Sequence, residues 1–131
     1  MKDIILDEFQ NLVNDTLIRH YGLLDIMSKF SESTAKVNRS VIKSVTSCGC
    51  LHIEAKKVST ADSDTIQELK QVLDKHSRGQ LCPDCTEKVS VELGKLMFYV
   101  TALCNNLDIS LYDVMLQEYK LTRTFGTYKL T

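Results

Sequence analysis

A single proline and five glycines in 131 residues leave few points at which a helix must stop. That scarcity favours long helices over a turn-rich β architecture. A surplus of either charge is also missing: 16 Lys and Arg stand against 17 Asp and Glu, a net charge of -1. Such a balance supplies no general pull toward nucleic acid or an acidic membrane surface, and the chain carries no basic face interleaved with aromatics. No apolar run approaches the ~20 residues that cross a bilayer. The opening Met1-Lys2-Asp3 before Ile4-Ile5-Leu6 is too acidic, and its apolar part too short, for a secretory signal. The expected location is the cytoplasm, where paired cysteines serve as metal ligands or redox groups more often than as disulfides.

What is present is the composition of a globular domain, 44% hydrophobic and 25% charged, in a chain long enough to bury one core. There is no internal repeat, linker or low-complexity tract. Apolar spacing predicts a helix over about 3–20, broken at Tyr21-Gly22, and a second over about 23–46 that stops at Ser47-Cys48-Gly49-Cys50. Residues 51–58 alternate weakly, as a short strand or an irregular connection would. Asp62, Ser63, Asp64 and Thr65 supply helix-start residues, and Thr65 with Glu68 has capping-box spacing. The helix expected there runs over about 64–76 and ends at Ser77-Arg78-Gly79. Asp84 and Glu87 offer a similar start for the most apolar helix, about 85–107, and Ser110 with Asp113 for a last one to about Thr122. The tail from Thr124 to Thr131 is expected to be extended. The expected organisation is one all-α domain over 1–131, with an insertion at about 47–86.

Four of the five cysteines fall in two tight pairs, Cys48-Gly49-Cys50 and Cys82-Pro83-Asp84-Cys85. Zinc takes four thiolates tetrahedrally at ~2.3 Å, and structural sites fill every position with protein ligands. Gly49 permits the turn between the first pair, and a helix start behind Cys82 would favour thiolate charge on the second. A structural zinc on Cys48, Cys50, Cys82 and Cys85 is therefore expected. A redox role for Cys82 and Cys85 would need a preceding strand in a βαβ setting, which this region lacks. His52 and His76 lie close enough in sequence to replace a ligand. Cys104, mid-helix among apolar residues, reads as packing. A metal joining the pairs would make helices 23–46 and 85–107 an antiparallel hairpin.

The run Val91-Glu92-Leu93-Gly94-Lys95-Leu96-Met97-Phe98-Tyr99-Val100-Thr101-Ala102-Leu103, followed by Leu107-Asp108-Ile109-Ser110-Leu111, resembles the MazG-type all-α nucleoside triphosphate pyrophosphohydrolases. In that family a Glu-Leu-Gly-Asp helix leads through an apolar stretch into a Leu-Gly-Ile-Ser-Leu link and another helix. The resemblance covers about 87–120. It implies a helical bundle, association into dimers or tetramers, magnesium, and release of pyrophosphate from nucleotides.

The family's catalytic carboxylates are mostly missing here. Glu92 matches the glutamate, but Lys95 replaces the aspartate, and no Glu-Glu-x-x-Glu occurs. Such carboxylates hold the hard magnesium ions that bind phosphate oxygens and activate water. Counting back from the cysteines puts Glu32 roughly 13 Å along the helix from the level of Glu92. Lys36, Arg39 and Lys43 form a positive stripe instead, and facing Lys95 it would bind a nucleotide phosphate or other anion without metal.

The leading reading is a divergent, non-catalytic MazG-like protein with structural zinc and an anion-binding or regulatory role, functioning as a homodimer. One alternative is an active magnesium-dependent pyrophosphohydrolase drawing on Glu32, Glu54, Glu87, Glu92 and Asp113, with Glu92 the sole weak match to a catalytic residue. The other is a zinc-containing protein-interaction module.

Overall fold

The computed structural model describes residues 2–59 and 64–126, the first two of these by backbone alone. Its elements run α1 (Lys2–Thr16), α2 (Leu23–Lys43), a π-helical turn (Ser44–Cys48), β1 (Leu51–Ile53), α3 (Ile66–Val72), β2 (Ser77–Gly79), α4 (Pro83–Asn106) and α5 (Leu111–Phe125). The protein is mostly helical, as the spacing predicts. Contacts divide it into two compact units, Met1–Lys36 with Glu92–Thr131, and Val37–Val91.

In the first unit Val13, Ile26 and Ala102 form the buried centre, each 1% exposed, with Phe9, Leu17, Phe98 and Leu103 packed around them. Ile26 meets Ala102, while Lys29 to Lys36 stand opposite Lys95 to Tyr99. Rising numbers on α2 thus meet falling numbers on α4, so within this unit the two helices are antiparallel. Thr101, fully buried, satisfies its hydroxyl by donating to the Met97 carbonyl at 2.7 Å.

Gln10 on α1 ties down the link between α4 and α5, a role its sequence position gives no hint of. Its Nε2 donates to the Ile109 carbonyl at 2.8 Å, its Oε1 accepts from the Leu111 amide at 2.9 Å, and its own carbonyl accepts from Asn105 Nδ2 at 2.9 Å. Groups orphaned where one helix ends and the next begins are satisfied by this side chain. Ser110 caps α5 as expected, accepting from the Asp113 amide at 3.2 Å. That helix outruns its expected end: Thr124 and Phe125 are helical rather than extended. Residues 127–131 of the expected tail, and Asp62 and Ser63 of the expected helix start, lie outside the described residues.

The second unit corrects the all-α expectation. β1 and β2 pair antiparallel, Leu51 with Gly79, His52 with Arg78 and Ile53 with Ser77. The residues expected to end a helix are therefore a strand, and α3 stops at Val72 instead of about 76. Hydrogen bonding commits that segment to the hairpin. Asp74 binds Arg78 Nη1 at 3.0 Å and Nη2 at 3.3 Å, and the His76 carbonyl accepts from the Glu54 amide at 3.0 Å. The Arg78 guanidinium holds the Asp74 carboxyl down at about 2. Half of the Thr65–Glu68 box forms: Thr65 Oγ1 accepts from the Glu68 amide at 3.1 Å, while Glu68 Oε2 takes the Asp64 amide at 2.9 Å rather than that of Thr65.

Candidate metal centre

Three local devices bring the cysteines together. The first is the π-helical turn that follows α2, where the Gly49 amide reaches back to the Ser44 carbonyl at 2.9 Å. One extra residue in the turn widens it, and Gly49 closes it with φ 83°, a left-handed conformation that glycine adopts freely. Cys48 and Cys50 sit on either side of that glycine.

The second is the β-hairpin. β1 begins directly after Cys50, and β2 ends three residues before Cys82, so strand pairing draws the two distant pairs to one end of the ribbon. Gly79 is required there: its φ is 87°, and a Cβ would collide with the Cys50 carbonyl oxygen.

The third is the start of α4, with Pro83 at its first position, where a missing N–H costs nothing. Cys82, rather than Asp84, caps this helix: its carbonyl accepts from the Thr86 amide at 2.9 Å and its Sγ from the Cys85 amide at 3.4 Å. That backbone N–H, with the Cys85 side chain beside it, lowers the Cys82 thiol to about 7.

All four sulfurs lie within 4.8 Å of one another. Four zinc–sulfur bonds of ~2.3 Å in a tetrahedron set sulfurs about 3.8 Å apart, and Cys48 Sγ lies 3.8 Å from Cys82 Sγ. A disulfide would need ~2.05 Å; all the cysteines are free. Cys85 is buried, Cys50 and Cys82 are half-buried, and Cys48 is exposed. The neighbouring Cys82 side chain, together with burial, pushes the Cys85 thiol up to about 12. Four thiolates this close repel one another, and a divalent cation is what lets them ionise together. Soft sulfur donors in this arrangement suit zinc. The chemistry of the donor set and its spacing both fit the metal.

Among the described residues no histidine or carboxylate joins this group, and no other set of three or more such donors is placed to hold an ion. His76 Nδ1 instead accepts from the Lys56 amide at 3.2 Å. Cys104 is buried at 9% exposure on α4, as expected of a packing residue.

The candidate anion-binding residues divide between the units. Lys36 and Lys95 line one cleft of the first unit, together with Lys29, Glu32, Ser33, Phe98 and Tyr99. Arg39 and Lys43 belong to the second unit and are exposed. Lys29, two turns N-terminal to Lys36, extends the basic stripe beyond the residues expected from the sequence. Glu32 binds both neighbouring lysines, Lys29 Nζ at 3.1 Å and Lys36 Nζ at 3.0 Å. These contacts, that to Lys36 foremost, hold its carboxyl below the usual carboxylate range. It lines the same cleft as Lys95, Phe98 and Tyr99.

Glu92 Oε1 lies 3.8 Å from Lys95 Nζ, and its Oε2 is buried without a hydrogen-bond partner. The remaining acids of the displaced-site alternative do not gather around it as a metal cluster: Glu54 pairs with Arg78 at 3.4 Å, in the second unit.

No helix among the described residues is long and apolar enough to cross a membrane. Comparison with protein-family models, with curated proteins and with solved structures returns no match to this chain.

Proposed function

We propose that this chain is a divergent MazG-like helical protein, stapled by structural zinc, that binds an anionic ligand in the cytoplasm and does not hydrolyse it. The convergence of four reduced thiols within 4.8 Å carries the reading, because among the described residues it is the one donor set whose chemistry selects a metal. Zinc bound there joins the turn after α2 to the first turn of α4, and its binding free energy becomes folding free energy.

Asp108 supports the MazG-like part. The family's link has glycine at this position, and Asp108 takes φ 56°, a conformation that glycine enters without steric cost. The non-hydrolytic part rests on the carboxylates. Lys95 stands where the family has its aspartate, Glu32 is held by two lysines, and Glu92 faces a cation rather than further acids. Magnesium needs converging oxygen ligands.

Incubation with the common nucleoside triphosphates and magnesium is expected to release no pyrophosphate above a protein-free control. Release that disappears in Glu92→Gln would overturn this part of the reading.

A second copy of the chain is the proposed partner. On α4 Leu93 and Met97 are 45% and 41% exposed, and on α5 Val114, Met115 and Tyr119 are 45%, 48% and 58% exposed. Large apolar side chains left open on two helices of one small unit are what an obligate helical interface buries. Sedimentation equilibrium is expected to give twice the chain mass of 14.9 kDa. Met97→Glu with Met115→Glu should shift it to the monomer; a wild-type monomer at high micromolar concentration would refute the interface.

A further inference from the structure

The cleft on the first unit has a composition that specifies more than an anion. It is an open cleft of about 290 Å³ between α2 and α4, close to the ~300 Å³ at which small-molecule sites begin. From α2 come Lys29, Glu32, Ser33 and Lys36, at positions three and four apart and so on one face. From α4 come Lys95, Phe98 and Tyr99, again on one face. The two rings meet edge to face, 5.2 Å between centroids at 81°, which fixes their orientation.

Charge limits the guest. The lining sets three lysines against Glu32 alone, leaving two net positive charges. A phosphate monoester, with roughly two negative charges near neutral pH, matches that balance, and a single carboxylate stays within it. A triphosphate brings several negative charges more, with no converging acids to hold a neutralising magnesium. The aromatic wall favours a flat ring over an aliphatic chain.

We infer that this cleft is a metal-free site for a small flat-ring molecule bearing one phosphate or carboxylate. Lys36 and Lys95 take the anion, and Tyr99 and Phe98 take the ring. The inference deepens the anion-binding reading above and rests on it.

Calorimetric titration of the zinc-loaded protein, at low salt and without magnesium, tests it with AMP, UMP and orotate as probes. Ribose 5-phosphate, adenosine and ATP serve as controls lacking the ring, lacking the anion, and carrying excess charge. At least one probe is expected to bind, about tenfold more tightly than each control matched to it. Binding of the nucleotides alone assigns phosphate, and of orotate alone carboxylate; each outcome supports the site. The double variant Lys36→Met with Lys95→Met, whose lysines are 52% and 58% exposed and so dispensable for folding, should lose about tenfold in affinity. Tyr99→Leu should weaken the ring-bearing probes and leave ribose 5-phosphate unchanged.

No binding by any of the three probes overturns the inference, as does binding that survives the lysine double variant. Ribose 5-phosphate binding as well as AMP overturns it too, since that is an anion patch only. Pyrophosphate release from triphosphates would instead overturn the non-hydrolytic reading and leave the cleft assignment standing.

Discussion

Cys85→Ser is expected to empty the four-thiol centre and unfold the segment it anchors. Cys85 is the buried member of the set, at 6% exposure, and sits in the first turn of α4. Structural zinc sites in small peptides supply about 10–16 kcal/mol of apparent binding free energy at neutral pH, and folding consumes that energy. The second unit has little else to rely on. Its helix α3 contains no buried residue, and its strands are three residues long. Elemental analysis of freshly reduced wild-type protein should find about one zinc per chain, as a filled four-thiolate site requires, and the variant should retain far less. Hydrogen exchange should accelerate by orders of magnitude over residues 51–82 in the variant and in chelated wild type. Full protection there after complete metal removal would show that the hairpin folds without the ion and would sink the structural role.

Ile26→Ala is expected to destabilise the first unit by about 2–5 kcal/mol, the range for removing a large aliphatic side chain from a close-packed interior. Ile26 is 1% exposed and touches the small buried cluster of Val13 and Ala102. With a centre of so few residues, the cavity is a large fraction of the whole, and neighbours have limited means to fill it. Urea unfolding followed by circular dichroism should report the loss as an earlier midpoint. Zinc content should remain near the wild-type value, because all four ligands belong to the other unit. A cost well below 1 kcal/mol would mean that this cluster is not the core.

These two substitutions also separate what was legible in the sequence from what was not. The cysteine pairs declared themselves through spacing alone, because tetrahedral sulfur chemistry needs two short pairs and little else. Gly49 declared the turn between them for the same local reason. Ser110 and Asp113 marked the start of α5 through a cap that involves only neighbouring residues. Helix α3 ends short of its expected bound because the residues after Val72 look helical only in isolation. Their partners, Glu54 and Lys56, are about twenty residues away, and strand pairing at that distance leaves no periodic trace in so short a segment.

The aromatic cleft was half legible. Lys36 and Lys95 are identifiable as charges, but Phe98 is one apolar residue among many on its helix, and nothing local marks Tyr99 as its partner in a cleft. Only the antiparallel register of α2 and α4 decides which side chains face one another across it. Gln10 is the extreme case. A polar residue in the first helix carries no local signal, yet it satisfies the backbone of a turn 99 residues further along the chain.

By itself, then, the sequence determined the helical character, the helix starts that are capped locally, and which four thiols form the candidate metal centre. Each of these depends on interactions within a few residues, where propensity, capping and ligand spacing act. Tertiary structure alone decided that the thiols converge through a β-ribbon, that Cys82 is itself a helix cap, and that lysines and aromatics share one cleft. Those outcomes depend on pairings between distant segments, whose register is set by packing and backbone hydrogen bonding rather than by any short pattern of residues.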